Sequence, residues 1–176
     1  LARNMVGDGP ASAALSATPA GVSVSGEVGL DGILQIDSDT NRLVAQHVVN
    51  SAPQLAQQLY SPFVLVGHVN VPGRGQSSGA WFTSGDSYDY YKVQLKKDQI
   101  VTLKVAAATQ GEGDVFMLIY NSSGLLLWAP NAYSRQHQFQ IPSTGDYFIL
   151  VWSYGGASRY ILDASQIPGA SAMSAG

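Results

Sequence analysis

From residue 63 onward, apolar side chains recur at every second position in short runs, and each run stops at a cluster of Gly, Pro, Asp, Asn or Ser. A period of two places successive side chains on opposite faces of an extended chain, so such runs form half-buried strands. The runs are FVLVGHV from Phe63, YYKVQL from Tyr90, IVTLKVAA from Ile100 and VFMLIY from Val115. LLLW, HQFQI, DYFILVWSY and RYILDAS follow, separated by turns such as NSSG, PSTG and GGAS. Seven or more short strands at this spacing imply an all-β fold, an antiparallel β-sandwich of jelly-roll type. Residues 89–107 are expected to form a hairpin across the KKD turn. The inner faces are expected to be built from Val93, Leu95, Val101, Leu103, Leu118, Phe148, Leu150 and Leu162.

Only 12% of the 176 residues are charged, against about 25% in an average soluble domain. The surface must therefore be covered by Ser, Thr, Asn, Gln and Gly. With nine Lys and Arg and a net charge of -3, the chain lacks the clustered cations that nucleic-acid binding needs. FMLIY and FILVW are too short to span a membrane as helices, which takes about 20 apolar residues. Cysteine is absent, which excludes disulfides, thiol nucleophiles and thiolate metal sites.

The N-terminal third reads differently. Residues 1–20 are rich in Ala, Ser, Gly and Pro and are expected to be a flexible lead-in, as is the tail 166–176. The start at Leu1 is expected of a processed or excised piece. An extension over 21–59 is expected to contain strand structure near Val22, Val24 and Val28. It should also hold one short helix over 50–59, capped by Asn50 or Ser51, with Pro53 in its first turn. The sandwich itself is expected over 60–165.

In order, the punctuated stretches are GDSYDYYKVQL (85–95), KKDQIVTLKV (96–105), GDVFMLIYNSSGLLL (113–127), IPSTGDYFILV (141–151) and GGASRYILDAS (155–165). This succession resembles the bacterial pre-peptidase C-terminal domain, an accessory β-sandwich of secreted peptidases. NSAPQLAQQLYSPFVLVGHV (50–69) resembles the lead-in to that domain. SVSGEVGLDGILQIDSDTN resembles the segment before it in some subtilisin-type serine peptidases. The chain departs from the pattern at Asp114, which stands without a second Asp, at Asn121 in place of a closing Asp, and at Asp98 in place of a hairpin Gly. Asp and Asn tolerate left-handed turns, so the fold reading stands.

The resemblance implies a non-catalytic module, secreted or at the cell surface, attached to a peptidase domain in the same precursor. It would assist secretion, targeting or attachment to a protein or polysaccharide substrate, and would be cleaved off in some cases. The alternative is a carbohydrate- or polymer-binding module gripping its ligand with exposed Tyr and Trp.

Several residue sets could carry chemistry. Asp37, Asp39 and Asn41 place oxygens at alternate positions, as a calcium loop does, but Arg42 and Val48 occupy positions where an EF-hand needs Gly and Glu. A simpler calcium site, or a loop whose carboxylates cap amides, remains. By the resemblance, Asp86 and Asp89 stand where an acidic pair binds Ca²⁺ in some relatives. Asn50 and the 37–50 stretch would complete the shell; otherwise Asp86 caps a turn and Asp89 faces solvent. Polymer contacts are expected from Tyr88, Tyr90, Trp81, Tyr133 and Trp128, with end-plugging as the alternative. GQSSG matches a nucleophile elbow at Ser77, with Asp114 and His137 in the order a hydrolase would need, but no strand-to-helix turn surrounds it. His47, His68 and His137 have no paired spacing. No catalytic residue is therefore expected.

Overall fold

The computed structural model describes residues 33–39, 49–75, 81–106, 115–131 and 134–166. The chain divides into two units, Leu1–Leu30 and Asp31–Gly176, and the described residues all lie in the second. Their strands are β1 (Ile33–Ile36), β2 (Gln57–Leu59), β3 (Phe63–Asn70), β4 (Tyr88–Leu95), β5 (Ile100–Val105), β6 (Val115–Asn121), β7 (Leu126–Trp128), β8 (Gln136–Gln140), β9 (Gly145–Ser153) and β10 (Ala157–Asp163). One sheet has the order β1-β3-β10-β5-β8 and the other β2-β4-β9-β6-β7. The fold is the expected all-β sandwich, and its sheets are mixed. β1 runs parallel to β3, with Ile36 opposite Val66, and β2 runs parallel to β4, with Leu59 opposite Val93. All other pairings are antiparallel.

Alternation explains the core. Tyr91, Val93 and Leu95 of β4 point inward, as do Val101, Leu103 and Val105 of β5. Phe63, Leu65, Val69, Tyr160 and Leu162 come from the β3–β10 pair. Each buried aliphatic chain contributes about 1.5–3 kcal/mol.

Three expectations need correction. The 89–107 hairpin does not form, because β4 and β5 belong to different sheets and the turn at 96–99 carries the chain across the sandwich. Asp98 takes a left-handed φ of 65°, its amide donating to the Ile141 carbonyl at 2.7 Å. The helix over 50–59 is only a 3-10 turn, Pro53–Leu55, followed by β2. A segment this short cannot offset the cost of helix nucleation, whereas pairing beside β4 satisfies its backbone. Leu118 and Phe148 are only half-buried and lie on the outer face, and Val115, Met117, Ile119, Tyr147, Ile149 and Val151 line the core; Leu150 shares the outer parity but is buried, as expected. VFMLIY and DYFILVW are nearly unbroken apolar runs, so their own pattern does not mark the inward side.

The expected strand near Val22, Val24 and Val28 lies outside the described residues, as do His47, Ser77, Asp114 and Tyr133.

Candidate metal centre

Four carboxylates converge at one end of the sandwich. Asp37 and Asp39 lie just past β1, Asp86 just before β4, and Asp89 within β4. Oxygens from all four lie within 4.8 Å of one another, and all four residues are buried. Each is delivered by a local cause. The Asp37 amide extends the β1–β3 ladder by donating to Val66 O at 3.0 Å. Ser38 N–H donates to Gln57 Oε1 at 2.8 Å, which turns the chain after β1. Trp81 Nε1 donates to the Asp39 carbonyl at 2.8 Å. Asp86 forms an antiparallel bridge with Asn70 through reciprocal bonds of 2.7 and 2.8 Å. Asp89 shares the inward parity of Tyr91 and Val93, so β4 drives its carboxylate toward the core at 0% exposure.

Asn50 is the fifth member. Its Nδ2 donates to Asp37 Oδ1 at 2.9 Å and its amide to Asp39 Oδ2 at 3.3 Å. Its carbonyl accepts from Tyr90 N–H at 2.9 Å. It does not cap the 3-10 turn, whose N-cap is Ala52 with no side-chain cap bond.

Behind Asp89 runs a chain of hydroxyls. Tyr160 donates to Asp89 Oδ2 at 2.5 Å, and Tyr91 hydrogen-bonds to the Tyr160 hydroxyl. Burial holds both phenols well above their ordinary value, so they remain donors. A Cβ on Gly67 would lie 2.3 Å from the tip of the Tyr160 ring, so glycine makes room for it. Carboxylate orientation by an outer layer of donors is a regular feature of metal sites.

The unsatisfied atoms define the chemistry. Asp39 Oδ1, Asn50 Oδ1, Asp86 Oδ2 and Asp89 Oδ1 are all buried without a hydrogen-bond partner. Burial, reinforced by Asp37, raises Asp39 to about 7. Burial, then Asp39 and Asp37, raises Asp86 to about 8. Asp89 is pushed well above the carboxylate range by burial and by Asp37 and Asp86, despite the opposing Tyr160 bond. Bare buried carboxylates of like charge are costly, and a cation taking oxygen ligands removes that cost. The donor set is all oxygen, which suits a hard divalent ion. The structure therefore brings together Asp37, Asp39, Asn50, Asp86 and Asp89 in a cluster able to hold a metal. Neither capping by Asp86 alone nor a solvent-facing Asp89 describes it.

Sequence reasoning missed Tyr91 and Tyr160. Tyr91 was in reach, because it shares the parity of Asp89 two residues on; Tyr160 comes from a remote strand.

Of the aromatic set, Tyr88, Tyr90 and Trp128 are at least partly exposed. The register lines up Tyr88, Trp152 and Phe116 in one outer row, and Tyr90, Leu150 and Leu118 in the next. Tyr88 and Trp152 are parallel within 5° at 6.2 Å. Trp81 is tied by its indole N–H to the Asp39 loop.

The fold and the cluster together define a β-sandwich with a buried acidic centre. No protein-family model matches the chain. No curated protein matches it either. Among solved structures, it is similar to the pre-peptidase C-terminal domain of collagenase from Bacillus anthracis, at 17% identity and a TM-score of 0.43, over 61% of this chain and 92% of that one. It is also similar to PliG of Aeromonas hydrophila, a periplasmic lysozyme inhibitor of g-type lysozyme, at 15% identity and a TM-score of 0.37, over 61% and 93%. PliG of Salmonella Typhimurium matches at 16% identity and a TM-score of 0.33, over 61% and 95%. The collagenase domain is of the family that the ordered turn motifs resemble.

Proposed function

We propose that this chain is a non-catalytic, calcium-stabilised accessory module of a secreted bacterial peptidase, acting outside the cell. The observation that carries the calcium reading is the set of four partnerless buried oxygens, from Asp39, Asn50, Asp86 and Asp89, in one cluster with Asp37. Ca²⁺ takes six to eight oxygens in flexible geometry, whereas Mg²⁺ retains its waters and an octahedron. A buried set of carboxylates and one amide oxygen suits the larger ion. Extracellular calcium modules bind with dissociation constants of about 10⁻⁴–10⁻³ M, which fits an extracellular setting. Attachment to a peptidase rests on the order of turn motifs from Gly85 to Ser165. β1 and β2 are edge strands of the two sheets, which supports a module that begins before Ile33.

A second reading, contact with a polymeric substrate, is favoured by the aromatic rows around Tyr88 and Tyr90, where Tyr88 is 43% and nearby Tyr154 72% exposed.

The test is calcium titration by calorimetry, with melting followed in millimolar Ca²⁺ and in EGTA. A saturable heat and a rise in melting temperature that EGTA removes are expected. Equal melting in both, with no heat, refutes the calcium reading. For the peptidase context, deleting the module from the full-length chain should lower cleavage of an insoluble substrate and spare cleavage of a small soluble peptide.

A further inference from the structure

Among the described residues each sheet ends in two edge strands, and three of the four edges carry protection. β7 has three residues and a register shift at Ile119/Tyr120 of its neighbour β6. β2 has three residues, and Gln58 Nε2 donates to the Leu59 carbonyl at 2.9 Å. β1 has four residues, and Gln57 Nε2 donates to its last carbonyl, that of Ile36, at 2.9 Å. Shortness and irregularity keep an edge from pairing with another chain, and a capped carbonyl removes an acceptor from the row. β8 is different. It has five residues, QHQFQ, with no Pro, Asp, Glu, Lys or Arg, and it pairs with β5 in unbroken register.

The open groups of β8 follow from that register. In an antiparallel pair, residues alternate between those that bond the neighbour and those that turn away from it. Val105 N–H donates to the Arg135 carbonyl at 2.8 Å, and Ile141 N–H donates to the Gln99 carbonyl at 2.9 Å. Main-chain groups of the odd-numbered residues therefore face β5, and those of Gln136, Gln138 and Gln140 face outward. Gln136 N–H donates to Ser134 Oγ at 3.2 Å. Among the described residues, the main-chain groups of Gln138 and Gln140 have no partner. A cavity of about 450 Å³, lined by Trp128, Pro130, Asn131, Gln136 and Gln138, leaves room beside the strand. All three glutamines are exposed.

The side chains decide which strand fits. Antiparallel pairing about a two-fold axis at Gln138 sets that residue opposite its own copy and Gln136 opposite the second copy's Gln140. Four main-chain bonds then form without breaking any, two between the Gln138 residues and one from each Gln140 N–H to the facing Gln136 carbonyl. Carboxamides both donate and accept, so a glutamine complements a glutamine. Gln138 Nε2 donates to Thr102 Oγ1 at 3.2 Å and Gln140 Nε2 to Asp98 Oδ1 at 3.1 Å, which fixes both side chains on the outer face of the sheet. A charged side chain at the axis would face its own charge, and β8 carries none there.

We propose that β8 is a self-pairing edge, through which two copies of this chain join their five-stranded sheets by antiparallel β8 strands centred on Gln138. The test follows the mass of the full chain in millimolar Ca²⁺ by sedimentation equilibrium, from micromolar to millimolar protein, with amide exchange read at both limits. The mass should rise toward that of two chains. The Gln138 and Gln140 amides should exchange more slowly at high concentration, with Leu34 on the opposite edge unchanged. Gln138→Lys and Gln138→Glu should each keep the parent's melting temperature and weaken self-association about tenfold, by setting like charges opposite each other. An equimolar mixture of the two should associate at least as well as the parent. Gln94→Lys, the same charge change at an exposed position of β4, should leave association unchanged. A chain that stays single up to millimolar concentration overturns the proposal. So does a pair in which Gln138→Lys associates like the parent, or in which exchange slows elsewhere and not at 138 and 140. A chain that stays single, but whose 138 and 140 amides are slowed by an added Gln-Thr repeat peptide, would assign the edge to a foreign strand and overturn it as well.

Discussion

At Asp89 one oxygen accepts from Tyr160 and the other has no partner, so substitution there separates two effects. Asp89→Asn keeps an acceptor for Tyr160 and removes a buried charge. In EGTA the variant should be at least as stable as the parent in urea unfolding. In Ca²⁺ it should lose the stabilisation that the parent gains, about 2.7 kcal/mol at a hundred times the dissociation constant. A variant that keeps the whole calcium gain would remove Asp89 from the ligand set. Gly67→Ala probes the same carboxylate from behind, since the new methyl group would meet Tyr160. Displacing a packed ring costs about 1–3 kcal/mol. The Tyr160 bond to Asp89 should loosen, so Gly67→Ala should lower both the melting temperature and the calcium gain. A full gain with a lower melting temperature would mean that Tyr160 does not orient Asp89.

At the scale of elements, the cluster ties the exit of β1 to the entry of β4. β1 has four residues and pairs on one side only. Gln35 Nε2 donates to the Tyr60 carbonyl and Gln57 Nε2 to the Ile36 carbonyl, which adds little beyond the β3 ladder. Stability varies locally, and edge segments open first. Chelation should therefore speed hydrogen exchange of the amides at 34–37 and leave those at 147–151 of central β9 unchanged. Equal acceleration at both would mean that the ion stabilises the whole sandwich without a local clamp. Strand positions and several turns were legible in sequence. Asp98 was expected to tolerate a left-handed turn and does so. Asn121, the departure at the closing position, accepts from Ser123 N, Ser123 Oγ and Leu125 N and so builds the NSSG turn. Sheet membership was not legible, because alternation tells which side of a strand is buried and says nothing about its partner. That is why β4 and β5, adjacent in sequence, were expected to pair. Within the acid cluster, Asp37 and Asp39 were candidates by their alternate spacing on a turn, whereas Asp86 and Asp89, with Asn50 completing their shell, were candidates through the family resemblance. Tyr160 was hidden because only the three-dimensional packing brings β10 beneath β4.

For the whole molecule the cluster implies an inverted acid response. Asp39 and Asp86 rise from 3.8 to about 7 and about 8. Between pH 4 and 8 the folded state without metal therefore holds more protons than the unfolded chain. By linkage its stability falls as pH rises through that window. In EGTA the urea midpoint should drop from about pH 4 toward pH 8. In saturating Ca²⁺ the drop should vanish, because the ion binds the deprotonated oxygens, and apparent calcium affinity should weaken below pH 7. A midpoint in EGTA that is flat or rises over this range would contradict the buried, mutually repelling carboxylates.

The separation of the two acidic arms along the chain has one more consequence. Asp37 and Asp39 emerge from synthesis well before Asp86 and Asp89, and closing the loop between them carries an entropic cost. Where free calcium is scarce, only proton uptake relieves the mutual repulsion of these side chains, and the polypeptide is easier to pull apart. On the proposed reading of a calcium-stabilised exported module, the metal-free chain is the form suited to threading through a narrow translocation pore, and millimolar calcium on the far side would then stabilise it.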